Sequence, residues 1–185
     1  MKALRIFNIY FAFLLVTLGF SIWNPVSAQL TVATASAVQQ VTYLTGPGVS
    51  ISNITRNCPN GASGTFDGTG TNISLTEGVL LTSGQITDAI TPNTSGSAGT
   101  DNFSAGDSDL NTLSGVTTFD ACALEFDLIA SCDTIAIAYV FASEEYDEYV
   151  CANVNDAFGF FISGPGLPYQ NIALIPGSTT PVSIN

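Results

Sequence analysis

Residues 133–142 read DTIAIAYVFA, the clearest strand-like stretch of the sequence. Ile135, Ile137, Tyr139 and Phe141 alternate with smaller residues, which is the period of two that a β-strand requires. Small alanines dominate the other positions, so both faces of the strand are apolar. A strand that is apolar on both faces has to be covered on both sides. The stretch therefore predicts a central strand of an all-β domain.

The flanking sequence supports the same fold class. Residues 123–129 alternate apolar and acidic side chains, which is typical of a strand with one face in water. Low charge and short β-rich runs continue through the chain, and no segment after residue 28 shows the pattern of an amphipathic helix. We predict an antiparallel β-sandwich with a jelly-roll-like architecture. Further strands are predicted at 78–83, 157–163 and 171–175, turns at 46–48 and 164–166, and a long surface loop at 91–115.

The N-terminus has the pattern of a secretory signal peptide. Lys2 and Arg5 precede an apolar run over 6–20, and Val26-Ser-Ala28 has the small residues of a cleavage site. An uncleaved membrane anchor is the competing interpretation, but polar residues interrupt the run and a cleavage motif ends it. We expect export and cleavage after Ala28, with a short linker at 29–37 and a β domain from residue 38 to residue 185.

The charge of the exported part excludes two classes of partner. All 15 Asp and Glu residues lie beyond Ala28, and Arg56 is the only Lys or Arg there. One base against 15 acids gives the mature chain a net charge of −14. Such a chain has nothing to neutralise phosphates, so nucleic acid and anionic membrane surfaces are excluded as partners. We expect no membrane insertion once the signal is cleaved.

The acidic residues are concentrated in one place. Four carboxylates, those of Glu144, Glu145, Asp147 and Glu148, follow the strand at 133–142 directly. If this strand pairs with 123–129 on one side and with 157–163 on the other, Asp156 joins the same edge of the sheet. Carboxylates packed this densely repel one another unless a cation or water screens them.

This edge is our candidate calcium site. Ca²⁺ binds six to eight oxygens, and loops at strand ends can supply them. Glu144, Glu145 and Asp156 are the leading candidate ligands, and Asp107 and Asp109 in a second oxygen-rich loop are the secondary ones. The alternative is that these acids form a solvated rim that keeps an exported protein soluble.

The four cysteines predict two disulfides in an exported chain. The same strand order places Cys122 and Cys151 at the acidic edge and Cys132 about 30 Å away at the opposite edge. We therefore expect the pairs Cys122–Cys151 and Cys58–Cys132. A zinc site is disfavoured, since the chain has no CxxC pair and no His.

Catalysis has little support in the sequence. The absence of His and of any mature Lys excludes His-based triads and Lys bases. Only a carboxylate-pair glycosidase remains, for example with Glu144 or Glu145 and Asp156. We expect the protein not to be an enzyme and predict no catalytic residues and no cofactor besides Ca²⁺.

Several segments together resemble the choice-of-anchor L domain family. The resemblance covers about residues 38–185 and implies a β-rich module of a large bacterial surface protein, exported and often followed by a type IX secretion sorting domain. It supplies no characterised ligand or reaction. The family pattern continues for further strands, so we expect the domain to extend beyond Asn185. The resemblance is carried by LEFDL (124–128), YVFASEEY (139–146), NDAFGFFISGPG (155–166), 171–177 and 181–185, and more loosely by 78–84 and 106–110.

The leading functional hypothesis is a non-enzymatic structural or adhesive module at the cell surface, with an extracellular protein or glycan as its ligand. The alternative is a carbohydrate-binding domain or a carboxylate-pair glycoside hydrolase.

Overall fold

A computed structural model of the protein describes residues 29–90, 93–131 and 133–184. The predicted signal peptide and Cys132 lie outside the described residues. In chain order the strands and helices are β1 Thr31–Thr34, α1 Ala37–Thr45, β2 Val49–Asn57, β3 Ser63–Asp67, β4 Glu77–Leu81, α2 Ser108–Ser114, β5 Ala123–Ala130, β6 Phe161–Gly164 and β7 Leu167–Asn171, with a short 3-10 turn at Asp88–Ile90 between β4 and α2.

The strands form antiparallel sheets, and the predicted all-β class is confirmed. The first sheet has the order β1-β3-β4, β2 pairs with β5, and β6 pairs with β7. β1 lies within the segment for which the sequence predicts a linker. The sandwich or jelly-roll arrangement of the sheets stays a prediction. Within the described part of the chain, no helix has the length and apolarity needed to cross a membrane.

The helix α1 was missed by the sequence analysis. Ser36 caps it, accepting a hydrogen bond from the amide of Gln39, while the Gln39 side chain accepts one from the Ser36 amide. This reciprocal pair is a capping box, and Ser-x-x-Gln was its signal in the sequence. The helix lies against β2 and β4 and buries Val41 completely. Gly46, with φ of 60°, ends it before Pro47.

The predicted hairpin of 123–129 with 133–142 is wrong. β5 pairs instead with β2, from Val49 opposite Ala130 to Asn57 opposite Ala123. Alternation in the sequence marks a segment as a strand but does not name its partner, and here the partner is distant along the chain. Residues 133–142 form neither helix nor strand among the described residues, so the prediction of a central strand is wrong as well.

Side chains help to fix the register of β2 on β5. The Asn53 amide donates to the Asp127 carboxylate at 2.6 Å, and the Thr55 hydroxyl donates to that of Glu125 at 3.2 Å. The register shifts between Ser52 and Thr55, and Asn53 adopts a positive φ of 52° there. Asparagine tolerates this conformation better than most residues, so the bulge is placed where the sequence permits it.

The other predicted elements have mixed outcomes. β4 confirms the strand predicted at 78–83, and the turn after Gly164 is confirmed as the two-residue link of the β6–β7 hairpin, with Gly166 at φ of 78°. That hairpin is displaced along the chain from the strands predicted at 157–163 and 171–175. The loop predicted at 91–115 contains α2, so that prediction is wrong over the helix.

The disulfide pairing has to be corrected. Cys58 is bonded to Cys122, with their Cα atoms 4.0 Å apart. The reason is the register of β2 on β5: Asn57 lies opposite Ala123, so the next residue outward on each strand is a cysteine facing the other. Neither the predicted Cys122–Cys151 bond nor the predicted Cys58–Cys132 bond is compatible with it.

Candidate functional site

The structure joins the acidic loop, defined as residues 143–150, to Asp156. The Ser143 hydroxyl donates a hydrogen bond of 2.5 Å to the Asp156 carboxylate and accepts one of 3.0 Å from the amide of Glu145. The predicted neighbourhood of Glu144, Glu145 and Asp156 is therefore present, although residues 133–142 form no strand and β6 begins only at Phe161. A single serine provides the link.

The carboxyl groups of Glu144 and Glu145 are held in an unfavourable environment. Burial raises the pKa of Glu145, and the charges of Asp156 and Glu144 raise it further. Burial is also the main cause of the raised pKa of Glu144, with Asp156 and Asp88 adding to it against an opposing backbone hydrogen bond. One oxygen of Glu145, Oε2, is inaccessible to solvent and has no hydrogen-bond partner in the described part of the chain. Such a carboxylate is stabilised by a proton or by a cation.

Asp88 is a further carboxylate near Glu144 that the sequence analysis missed. Its carboxylate accepts hydrogen bonds of 2.9 Å from the amides of Gln85 and Thr100, which fasten the 3-10 turn to the following loop. The same region reaches the acidic loop, since the side-chain amide of Asn93 donates to the Glu144 carbonyl at 2.7 Å. Asp88 lies in none of the acidic runs of the sequence, and only the fold brings its charge near Glu144. We call Asp88, Glu144, Glu145 and Asp156 the acidic group.

Asp107 and Asp109 have a different role. Asp107 caps α2, accepting hydrogen bonds from the amides of Asp109 and Leu110. Asp109 accepts a hydrogen bond of 2.7 Å from the Tyr169 hydroxyl, and this bond is the main reason that the pKa of Tyr169 is raised to about 12. Neither aspartate is among the charges that shift the pKa of Glu144 or Glu145. Asp107 thus begins α2, Asp109 links α2 to β7, and both stand apart from the acidic group.

No set of three or more Asp, Glu or Cys side chains is close enough to hold a metal ion together within the residues that the structure describes. The acidic group is therefore a charged neighbourhood and not a preformed ligand cage. A cation bound there would take its remaining oxygens from water and backbone carbonyls, as Ca²⁺ commonly does.

Asp120 is a second carboxylate that the sequence analysis did not single out as a functional or structural centre. It is 8% exposed and has a positive φ of 53°. Burial opposes its charged form. Hydrogen bonds from the amides of Ser104 and Asn102 and from the Ser104 hydroxyl outweigh that effect, so the pKa of Asp120 is lowered. Hydrogen-bond donors of the chain itself therefore stabilise the ionised form of Asp120, and its role is to fix the loop that precedes α2.

Comparison with known proteins identifies a family. The family model described as the choice-of-anchor L domain matches residues 26–185, which includes every strand and helix described above. No curated protein and no solved structure matched the chain. A choice-of-anchor domain indicates a surface-associated bacterial module, and the family is not known to be enzymatic.

Proposed function

We propose that this chain, which belongs to the choice-of-anchor L domain family, is a non-enzymatic module that serves a structural or adhesive role at the bacterial surface. The observation that carries the proposal is the extent of the family match, from residue 26 to residue 185. The signal-like N-terminus and the mature charge of −14 agree with a soluble exported part that binds neither nucleic acid nor anionic lipid.

Export is tested by locating the protein in the bacterium that produces it. Extracellular protease should digest the protein on intact cells while a cytoplasmic marker survives. Edman sequencing of the exported protein should start at Gln29, because Val26-Ser-Ala28 is the cleavage motif. A protein that resists protease until the cells are lysed, with Met1 retained, would contradict both statements.

The adhesive role needs a separate test. Beads coated with the purified exported protein should bind host-matrix proteins or glycans more strongly than beads coated with the heat-denatured protein. Binding that is equal for folded and unfolded protein would leave only the structural role.

We further propose that the acidic group binds Ca²⁺ and that the ion stabilises the fold. The supporting observation is the buried Oε2 of Glu145, which has no hydrogen-bond partner in the described chain and lies beside the like charges of Asp156 and Glu144. A bound cation would relieve both the burial cost and the repulsion. At 100-fold excess over the dissociation constant, binding to the folded state would add about 2.7 kcal/mol to the free energy of unfolding.

The test is thermal unfolding in EDTA, CaCl₂, MgCl₂ and NaCl at matched ionic strength. We expect CaCl₂ to raise the midpoint most, and Glu145→Gln to remove that difference. Glu148→Gln is the matched control, because Glu148 is exposed in the same loop and is not among the charges that shift the pKa of Glu144 or Glu145. If CaCl₂ and NaCl raise the midpoint equally, the acids are a solvated rim.

The second candidate function is glycoside hydrolysis or carbohydrate binding by the same group. The observation that favours it is that Ser143 joins Asp156 to the Glu145 backbone, and that burial and the charge of Asp156 raise the pKa of Glu145; a glycosidase likewise pairs two carboxyl groups in different environments. Reducing-sugar release from a panel of bacterial and host polysaccharides tests it. Release that Glu145→Gln does not abolish, or no release at all, would exclude this pair as catalytic.

A further inference from the structure

The segment of residues 135–142, which we call the open segment, has the sequence of a buried strand and is exposed instead. Its large apolar side chains are far from covered: Ile135 is 48% exposed, Ile137 is 42% exposed and Val140 is 51% exposed. It contains no charged residue. β-branched and aromatic residues in alternation have a strong preference for a sheet, but residues 135–142 pair with no strand in the part of the chain that the structure describes.

The backbone of the open segment is also available. No hydrogen bond among the described residues involves an amide or carbonyl of 135–142. A row of N–H and C=O groups without partners is the template on which another strand pairs, and the main-chain hydrogen bonds formed in this way supply affinity. Eight residues of strand extend about 26 Å, which is enough for a full strand of a partner.

The open segment is held in place from one side. The ring centroid of Tyr139 lies 5.1 Å from that of Phe158, and the Phe141 centroid lies 6.4 Å from it. The amide of Phe158 in turn donates to the Val182 carbonyl. Tyr139 and Phe141 are two residues apart and contact the same ring, as side chains on one face of a strand do. The segment is therefore attached to the fold through one face while its backbone stays available.

Charge selects the kind of partner. The exposed Asp133 lies two residues before the open segment, and the exposed Asp147 and Glu148 lie beyond its C-terminal end. A strand laid along it would meet carboxylates at both ends. A second copy of this chain has a net charge of −14 and would add like charge at both places, so self-association is disfavoured.

We propose that residues 135–142 bind an extended strand of a partner protein by β-augmentation, and that this strand alternates apolar residues and carries Lys or Arg at its ends. The main chain would supply the hydrogen bonds, Ile135, Ile137 and Val140 the apolar contacts, and the flanking acids the selection for basic ends. This strand binding would give the proposed adhesive role a specific partner, and it rests on that proposed function only for the location of the encounter, the cell surface. Failure of the surface-location test would leave the strand-binding test unaffected.

The probe is a fluorescein-labelled peptide of about nine residues that alternates valine and threonine and has lysine at both ends, matched to the eight-residue segment. Fluorescence anisotropy measures its binding to the purified exported protein at low salt. We expect saturable binding, and binding weaker by about tenfold or more when glutamate replaces lysine, a difference of about 1.4 kcal/mol. Hydrogen exchange should show amides of 135–142 that are unprotected in the protein alone and protected when the probe is bound.

Proline variants test the backbone contribution. Ile137→Pro and Ala138→Pro each remove one N–H, and neighbouring amides of a strand point to opposite edges, so one of the two removes a docking donor. Neither N–H is bonded within the described fold, so both variants should keep the unfolding midpoint of the parent. We expect at least one of them to abolish probe binding, and Ile137→Val to preserve it.

Three results would overturn the proposal: amides of 135–142 already protected in the monomer, equal binding of the lysine and glutamate probes, or sedimentation of the protein as a dimer that either proline variant dissociates. The third result would identify a second copy as the occupant. If a proline variant lowers the unfolding midpoint, the backbone contribution is tested instead with the parent protein and a probe peptide that is methylated at alternate backbone nitrogens. Unchanged binding of that probe at both registers would likewise overturn strand addition.

Discussion

The carboxylates of Asp120 and Glu145 respond to pH in opposite directions. Asp120 is surrounded by donors, so folding favours its charged form and its pKa is lowered. Glu145 is half-buried beside like charges, so folding disfavours its charged form and its pKa is raised. The first contributes stability only when ionised, and the second costs stability when ionised.

Asp120→Ala should destabilise the protein by about 1–3 kcal/mol at pH 7, because it leaves the amides of Asn102 and Ser104 without their acceptor. A lowered pKa means that this stabilisation is present above the unfolded value of about 3.9 and is lost as the pH falls through the folded value. Urea unfolding at pH 7 and at pH 3 measures both effects, and the difference between parent and variant should shrink at low pH. Asp147→Asn, an exposed control, should change little at pH 7. A pH-independent cost would contradict the hydrogen-bonded role.

Glu145→Gln should raise the unfolding midpoint at pH 7 in EDTA, because it removes a half-buried charge beside Asp156 and Glu144. With a raised folded pKa, the destabilisation develops as the pH rises from the unfolded value of about 4.3 to the folded value, and it is absent below that window. The difference between the unfolding midpoints of Glu145→Gln and the parent should therefore grow as the pH rises from 4 to 8. The midpoint of Glu148→Gln should follow that of the parent over the same range. A variant that is less stable than the parent at pH 7 in EDTA would show that the acidic group is not strained.

At the scale of elements, the sequence predicted the fold class and several strands but not which strands pair with one another. β4 and the Gly166 turn were found from local pattern alone. The partner of β5 was not, because a hairpin between neighbours was assumed and the true partner, β2, lies on the far side of a long stretch of chain. The neighbourhood of Glu144, Glu145 and Asp156 was nevertheless predicted, for a reason that differs from the observed Ser143 bridge.

The disulfide is the most direct test of the observed strand pairing. Cleavage by an endoprotease specific for Glu separates all four cysteines, since Glu77 lies between Cys58 and Cys122, and Glu125 and Glu144 divide the rest. Mass spectrometry of the non-reduced digest should show the Cys58 fragment linked to the Cys122 fragment. Reduction should lower the free energy of unfolding by about 2–4 kcal/mol, because the bond closes a long loop at the end of the β2–β5 ladder. A Cys122–Cys151 link would contradict the pairing of β2 with β5 and favour the hairpin predicted from the sequence.

For the whole molecule, charge and core size act together. The fully or nearly buried apolar side chains of the described residues are few and mostly small: Val41, Ala62, Ile86, Ala173 and Ile184. After residue 28 the sequence has fifteen acids and one arginine, Arg56, whose guanidinium donates to the Ala35 carbonyl at 2.7 Å. Mutual repulsion among carboxylates is thus opposed by a modest core, and the stability of the fold should depend on whatever screens the charge.

NaCl should therefore raise the unfolding midpoint at pH 7 in EDTA, and the rise should shrink at pH 4, close to the usual pKa range of Asp and Glu, where the net negative charge is smaller. Replacing two exposed acids by lysine, Asp147→Lys with Glu148→Lys, changes the net charge of residues 29–185 from −14 to −10. We expect this double variant to be more stable than the parent at low salt and equal to it in 1 M NaCl, where the screening length is about 3 Å. The specific effect of Ca²⁺ on the parent should persist in 1 M NaCl, because a partly buried group is screened less than a surface charge. If the double variant keeps its advantage at high salt, a local contact and not the net charge is responsible for it.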